Sequence, residues 1–241
     1  QPPVLPRSPG AGIVSGTDLL TLVPGLYLAP TRAGALHAVT SAEDRPVERL
    51  LRLLLRAPDP VSTDRAADLW THTGLHDPAA LAAVVAEAQD AGWLEGRTRP
   101  PAVPTGPLGV ELPALLSPLS EDGDAALVDD QGFTLSSVGF GPEAVDELSI
   151  LAAEVVRLQQ RRTTSAAATT PVTGWGLIDH RGAPSVALYP IAIGGQSFVL
   201  IVGGLPRLAQ EAFVALVTAL SRRYGAPADG PHLTRTSPPP H

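Results

Sequence analysis

Residues 125–162 constrain the fold more than any other part of this 241-residue chain. Two apolar runs, AALV and FTLSSVGF, flank the turn DDQG, and a long segment rich in leucine, valine and alanine follows. Apolar runs around a glycine turn predict a β-hairpin, whereas apolar residues three and four positions apart predict an amphipathic helix. We therefore expect an α/β (α+β) protein in which helices cover a sheet.

The long helix is predicted over residues 143–162 and has one wide apolar stripe. Acidic residues lie in its first turns and arginines in its last turn, which complements the helix dipole. Ile150 adds an apolar residue on the otherwise polar side. The stripe consists of Val145, Leu148, Leu151, Ala152, Val155, Val156 and Leu158.

More strands and helices are predicted on both sides of this unit. A short helix precedes it at residues 111–119, and the strands GWGLIDH, SVALYPIA and SFVLIVG follow it. Arg181-Gly182 and Gly194-Gly195 join these strands as tight turns, which favours antiparallel pairing. A final helix is predicted to begin near Pro206, to stop at Gly225 and to bury Leu208, Ala212, Phe213, Leu216 and Leu220.

Proline-rich stretches divide the chain into two blocks. Residues 97–108 are predicted to be a semi-rigid linker, because proline neither continues a helix nor donates to a central strand. Residues 1–12 and 226–241 are rich in proline and polar residues and are predicted to be flexible tails. The predicted domains are therefore residues 13–96 and residues 109–225.

The first block is predicted to be mainly helical. GLYLAP and ALHAVT flank the segment TRAG, which suggests a short hairpin. Helices are then predicted over residues 46–56, from Ser62 or Thr63 to Trp70, and from Asp77-Pro78 to near Gly92. Three helices followed by AGWLEG resemble a winged-helix domain, in which the third helix leads into a β-hairpin wing.

A winged helix that binds DNA uses basic and amide side chains of its third helix. The segment DPAALAAVVAEAQDAG has no basic residue, and residues 41–99 contain 7 arginines against 10 acidic residues. We therefore expect this block to bind protein or to give structural support. The alternative is a transcription regulator whose paired winged helices bind two half-sites, with Arg65, Arg97 and Arg99 available for phosphate contacts.

The second block resembles the roadblock or dynein light chain family, a small α/β fold related to longin domains. The resemblance rests on LVDDQGFTLSSVGF followed by DELSILAAEVVRLQQ, and then on GLIDHRG and QSFVLIVGG. It covers about half of the chain and implies a five-stranded antiparallel sheet with flanking helices. Members of this family typically have no enzymatic activity, and they dimerise, build scaffolds or regulate Ras-like small GTPases.

The resemblance also implies where self-association occurs. In the family, the first strand after the long helix joins its counterpart, and the two long helices lie side by side. The interface residues expected here are Leu151, Val155, Leu158, Trp175, Leu177 and Ile178. Simple core burial is the alternative for each of them. The expected partners are a second copy and a partner protein, either a small GTPase or a component of a motility, pilus or secretion assembly.

We expect no catalytic residue, metal site or cofactor. Asp129 and Asp130 are interpreted as turn residues beside Gly132, since Ca²⁺ typically needs six or more oxygen ligands. Asp179, His180 and Ser185 contain the side-chain types of a catalytic triad, but they straddle one predicted turn. His72 and His76 have the spacing of a metal pair, but Gly74 interrupts the helix between them, and IGGQ and VGG lack the spacing and lysine of a P-loop.

Composition limits the remaining classes of protein. A net charge of −7 argues against a general binder of nucleic acids, and the absence of cysteine removes disulfides and thiolate catalysis. No run of about 18 apolar residues and no signal-peptide pattern is present, so we expect a cytoplasmic protein without a membrane span. The absence of methionine implies that the native start lies outside this sequence.

Overall fold

The computed structural model describes residues 24–64, 78–163 and 173–225. The two predicted tails lie outside these residues. So do most of the helix predicted to end at Trp70 and the histidines His72 and His76. Within the described part of the chain, no helix is long and apolar enough to cross a membrane.

The described chain contains both strands and helices, in two blocks. The first block contains β1 (Tyr27–Pro30), α1 (Arg32–Thr40), α2 (Pro46–Arg56), α3 (Pro78–Asp90) and β2 (Leu94–Arg97). The second block begins with α4 (Leu108–Leu116), β3 (Ala125–Asp129), β4 (Thr134–Val138) and α5 (Pro142–Thr163). It continues with β5 (Trp175–Ile178), β6 (Pro184–Ile193), β7 (Gln196–Gly203) and α6 (Glu211–Tyr224).

The second block is built on a five-stranded antiparallel sheet with the strand order β4-β3-β7-β6-β5. β3 and β7 lie inside the sheet, and their continuous apolar runs are buried on both faces. α5 packs on one face through residues such as Ala152 and Val156, and α4 and α6 pack on the other. The predicted mixed fold and its order of elements are therefore confirmed.

The first block differs from its prediction at residues 26–40. The predicted hairpin is wrong, because β1 is followed by the helix α1. The Thr31 hydroxyl accepts a hydrogen bond from the Gly34 N–H (3.1 Å), which caps the helix. Ala35, Ala38 and Val39 have helical spacing and are buried together, so ALHAVT belongs to a helix.

The strand after α3 is β2, and it pairs with β1 and not with a later strand. The segment that follows it contains Pro100, Pro101, Pro104 and Pro107, which have no N–H group to donate in a wing hairpin. In the described residues, α3 therefore leads into a strand whose partner precedes the helices. The winged-helix assignment of this block stays a prediction.

The final helix begins later than predicted. Residues 205–207 are held beside residues 119–121 by backbone hydrogen bonds, such as Arg207 N–H to Leu119 C=O (2.7 Å). Pro206 also forms an isolated bridge with Ser120. α6 therefore begins at Glu211, and of the predicted core residues Phe213, Leu216 and Leu220 are fully buried, whereas Leu208 and Ala212 are partly buried.

The first block contacts α6 and the end of β6. One apolar core extends from α1 and α2 to the face of the sheet on which α4 and α6 pack. Arg222 of α6 donates to the carbonyl oxygens of Ala57 (2.7 Å) and Pro58 after α2, and to Pro104 (3.4 Å). Arg97 of β2 pairs with Glu211 of α6 (3.0 Å). The boundaries of the two domains stay a prediction.

Candidate interaction surface

The long helix α5 has an inner face and a side that points toward β5. Val155 is buried against the sheet, in a cluster with Ala126 and Ile201. Leu151 and Leu158 are only half-buried, and they lie on one side of the helix because seven residues are close to two turns. Of the predicted interface residues on α5, Val155 thus belongs to the core, and the two leucines remain accessible.

β5 forms one edge of the sheet. It pairs with β6 alone among the strands of the described chain, so its other edge has no hydrogen-bonded neighbour there. Trp175 is half-buried, Leu177 is 37% exposed and Ile178 is 71% exposed. An edge strand with uncovered apolar side chains is a typical site for pairing with another chain.

Trp175 connects the strand with the helix. The guanidinium of Arg162, one turn after Leu158, lies 5.8 Å from the centre of the Trp175 ring, which is the geometry of a cation–π contact. The indole N–H is buried and has no hydrogen-bond acceptor within the described residues. The structure therefore brings Leu151, Leu158 and Trp175 to one side of the molecule, at the open edge of β5.

Residues 24–64 and 78–97, the described part of the first block, contribute nothing to the apolar cluster on this side of the molecule. This buried apolar cluster lies between α5 and the sheet and includes Ala126 and Ile201. The end of α1 approaches the last turns of α5, where Ser41 and Gln159 line the same small cavity of about 150 Å³. Leu151, Leu177 and Ile178 do not line that cavity.

The carboxylate at the β3–β4 turn stabilises its own backbone. Asp129 Oδ1 accepts hydrogen bonds from the N–H groups of Gln131 (2.9 Å) and Phe133 (2.8 Å). Gly132 has a φ of +93°, a conformation that glycine adopts without steric cost. These contacts agree with the interpretation of the DDQG segment as a turn.

The β5–β6 turn repeats this arrangement. Asp179 Oδ1 accepts from the N–H groups of Arg181 (2.8 Å) and Ala183 (2.9 Å), and Gly182 has a φ of +81°. Because the Asp179 carboxylate is engaged by backbone, it does not orient a histidine as a triad would. His180 and Ser185 are exposed on this turn and the strand after it.

The described residues 24–64, 78–163 and 173–225 contain no cluster of three or more histidine or acidic residues placed to hold a metal ion. A pocket of about 350 Å³ opens between the two blocks, where α2, the proline-rich linker and α6 meet. Its lining is mainly aliphatic, and of its charged residues Asp59, Arg97 and Glu211 the last two are paired with each other.

Sequence reasoning missed a buried ionic cluster in the first block. Glu48 of α2 is fully buried, and its Oε1 atom lies 2.9 Å from His37 Nε2 and 2.7 Å from an Arg45 nitrogen. The His37 ring stacks on Trp93, with ring centres 3.7 Å apart. One feature of the sequence could have revealed this cluster: an acidic residue lies between Val47 and Leu50, on the apolar side of a leucine-rich helix.

The surroundings of Glu48 decide its charge. Burial by itself raises the pKa of the Glu48 carboxyl, but hydrogen bonds from His37 and Arg45 outweigh burial and hold its pKa below the usual range. The carboxylate is therefore ionised at neutral pH and ties α1, α2 and the start of β2 together. Its second oxygen has no hydrogen-bond partner among the described residues.

Two solved structures resemble part of this chain. The Roadblock/LC7 domain from Streptomyces avermitilis is 18% identical, and the match covers 46% of this chain and 89% of that one with a TM-score of 0.34. Myxococcus xanthus MglB is 17% identical, and the match covers 51% of this chain and 94% of that one with a TM-score of 0.35. No family profile and no curated protein matches the chain.

The order of elements in residues 108–224 is helix, two strands, helix, three strands and helix. This order and the five-stranded antiparallel sheet confirm the roadblock-like region that the sequence predicts. Residues 108–224 thus have the mixed fold that the resemblance implies, and the first block is mainly helical.

Proposed function

We propose that this chain is a non-enzymatic, homodimeric regulatory or scaffold protein of the roadblock type. One observation carries the proposal: among the described residues, the open edge of β5 lies beside the accessible leucines of α5, and no strand or helix of the first block pairs with that edge. Pairing of two β5 edges would continue the sheet across both copies, and α5 would pack beside its counterpart.

The exposed apolar side chains at the β5 edge support the same proposal. Leu177 is 37% exposed and Ile178 is 71% exposed, and Leu151 and Leu158 of α5 are only half-buried. Self-association would remove these four side chains from water, which is favourable.

The absence of enzymatic activity is part of the proposal. The carboxylates of Asp129 and Asp179 accept hydrogen bonds from their own turns, and Glu48 is buried in a structural cluster. These acidic groups hold backbone or helices in place. We propose that the protein acts by binding partner proteins, with a Ras-like small GTPase or a component of a motility, pilus or secretion assembly as the partner class.

Light scattering after size-exclusion chromatography tests self-association. We expect a mass of about twice the 24.9 kDa chain, and Ile178→Asp should weaken dimerisation at least about tenfold, because it places a charge at the paired edge. Leu205→Asp is the matched control, since Leu205 is also exposed but lies in the loop before α6. A monomer at all concentrations, or an unchanged dimer in Ile178→Asp, would contradict the proposed surface.

The partner class needs a separate experiment. The tagged chain is purified from its native host, and the proteins that remain bound are identified and then purified for binding and GTP-hydrolysis assays. Binding of a small GTPase, with a changed rate of GTP hydrolysis, would support a regulatory role. Retention on duplex DNA at about 150 mM salt would instead favour the transcription regulator, although α3 has no basic residue to contact phosphates.

A further inference from the structure

A second surface lies on the other side of α5, toward β4. Two large apolar side chains are exposed there, Phe133 of the β3–β4 turn (67% exposed) and Ile150 of α5 (70% exposed). Single exposed apolar residues are common on protein surfaces, but neighbouring ones mark interaction sites. The question is therefore whether these two residues form one patch.

The turn contacts α5 on both sides of Phe133. The Thr134 hydroxyl lies 2.9 Å from the Ser149 hydroxyl. A Cβ atom added to Gly132 would lie 3.3 Å from the Ser149 carbonyl oxygen. Phe133 stands between these two contacts, and Ile150 directly follows Ser149 in the helix. Phe133 and Ile150 each directly adjoin a residue of the same turn–helix contact, which places them on neighbouring parts of the surface.

This patch is distinct from the proposed dimer surface. Arg162, Leu158 and Leu151 occupy the side of α5 that points to Trp175, whereas Ser149 points to β4. Successive helical residues are about 100° apart, so Ile150 is turned from Ser149 toward the solvent-facing side of α5. A dimer formed through β5 would leave the patch accessible in both copies.

Negative charge surrounds the patch. Glu143 and Asp146 are exposed in the first turns of α5, and Asp130 is exposed in the turn beside Phe133. The nearest arginine on the outer side of the helix is Arg157, which pairs with Glu154. Two copies that met here would place acidic residues against acidic residues. The charge therefore disfavours a second copy and matches a partner with basic residues.

We propose that the Phe133–Ile150 patch binds a partner protein that presents an apolar side chain surrounded by arginine or lysine. This inference names the partner-binding surface of the scaffold described above, and it rests on that function. Phe133 and Ile150 supply apolar area that is desolvated on binding, since an aromatic side chain buries about 150–250 Å². The acidic rim orients the partner and speeds its association.

Selection from a random peptide library displayed on phage tests the proposal, with the full chain immobilised as bait. We expect enrichment of peptides that combine arginine or lysine with leucine, isoleucine or phenylalanine. Synthetic copies of these peptides should bind at least about tenfold more weakly to the double variant Phe133→Ser/Ile150→Ser, which loses both apolar side chains. Binding should also weaken in Asp146→Arg.

Matched variants control for fold and for general charge. Val110→Ser replaces a similarly exposed apolar residue of α4, outside both surfaces, and Asp90→Arg reverses an exposed acidic residue at the end of α3; both should bind the peptides like the original chain. Circular dichroism and thermal unfolding establish that the variants are folded. No enrichment, enrichment of peptides without basic residues, or unchanged binding to the double variant would overturn the proposal.

Light scattering on the same samples separates this inference from the proposed function. A dimer that selects no basic, apolar peptides refutes the patch and leaves self-association intact. A monomer whose peptide binding depends on Phe133 and Ile150 supports the patch and contradicts the dimer. The two ideas therefore fail in different measurements.

Discussion

Asp129 and Asp179 occupy the same position in two separate turns. Each is followed three residues later by a glycine with positive φ, and each carboxylate accepts two backbone N–H groups. The pattern of aspartate, two residues and glycine therefore encodes a turn that caps itself. An adjacent acidic residue such as Asp130 takes no part in these hydrogen bonds and remains exposed.

We predict that Asp129→Ala lowers the free energy of unfolding by about 1–2 kcal/mol, because two backbone N–H groups lose a charged acceptor. Asp130→Ala is the neighbouring control and should change it by less than about 0.5 kcal/mol. Urea denaturation measures both. If the turn instead held a metal ion, added Ca²⁺ or Mg²⁺ would raise the melting temperature of the original chain, and we expect no such rise.

Glu48 has a different structural role, since its charge is buried between helices. Removing one partner of a buried ionic cluster leaves polar groups without their hydrogen bonds, which is more costly than the loss of an exposed ion pair. We predict that Glu48→Gln lowers the free energy of unfolding by about 1.5–3 kcal/mol at pH 7. Glu43→Gln, which removes an exposed partner of Arg45, should cost less than about 1 kcal/mol.

The pH dependence of stability follows from the lowered pKa of Glu48. The unfolded chain takes up a proton at this carboxyl near the ordinary value of about 4.3, whereas the folded chain takes it up at lower pH. The stabilisation is therefore fully present above about pH 4.3 and is lost as the pH falls through the folded value. Urea denaturation at several pH values should show the difference between the original chain and Glu48→Gln shrinking below about pH 4.3; a constant difference contradicts this account.

At the scale of elements, α5 combines an apolar side with separated charges. Its first half carries Glu143, Asp146 and Glu147, and its last turns carry Arg157, Arg161 and Arg162. Two copies in antiparallel orientation bring the acidic half of each helix to the basic half of the other. A parallel pair would align like charges, so the charge pattern favours antiparallel association of the proposed dimer.

Two antiparallel α5 helices can be aligned so that Leu151 of one copy faces Leu158 of the other. This alignment places Glu147 of one copy opposite Arg162 of the other. We predict that Glu147→Arg and Arg162→Glu each weaken dimerisation several-fold, and that the double variant restores much of it. Sedimentation at several protein concentrations gives the dissociation constants. Additive losses in the double variant would show that the two residues do not face each other.

At the scale of the whole molecule, Arg222 connects the two blocks. It donates to carbonyl oxygens after α2 and in the proline-rich linker, and the apolar core continues across the same boundary. These contacts place the described part of the first block on α6 and the end of β6, and the end of α1 also approaches the last turns of α5. Arg222 thus helps to fix the position of residues 24–64 and 78–97 relative to the sheet.

We predict that Arg222→Ala lowers the free energy of unfolding by about 1.5–3 kcal/mol, since several charged hydrogen bonds to carbonyl oxygens are lost. Arg223→Ala is the adjacent control, because Arg223 is exposed and contacts the Tyr224 ring. Thermal denaturation of both variants checks the difference. Equal stability of the two variants would mean that Arg222 does not hold the blocks together.

Periodicity and turn chemistry in the sequence determined most of the second block. The length of α5, the three strands after it and the glycine turns were predictable because each depends on residues close together in the chain. The same local reasoning failed at residues 26–40, where apolar residues fit a strand or a helix. There the hydrogen bond from Gly34 to Thr31 and burial against the neighbouring elements selected the helix α1.

Only the tertiary structure decided which apolar side chains remain accessible. The sequence gives Val155, Leu151 and Ile150 the same apolar character, yet the first is buried against the sheet, the second is half-buried and the third is exposed. Burial depends on what packs against each side of α5, and those contacts join residues far apart in the chain. For the same reason, the uncovered edge of β5, the charge buried at Glu48 and the patch at Phe133 were decided by the folded chain and not by local sequence.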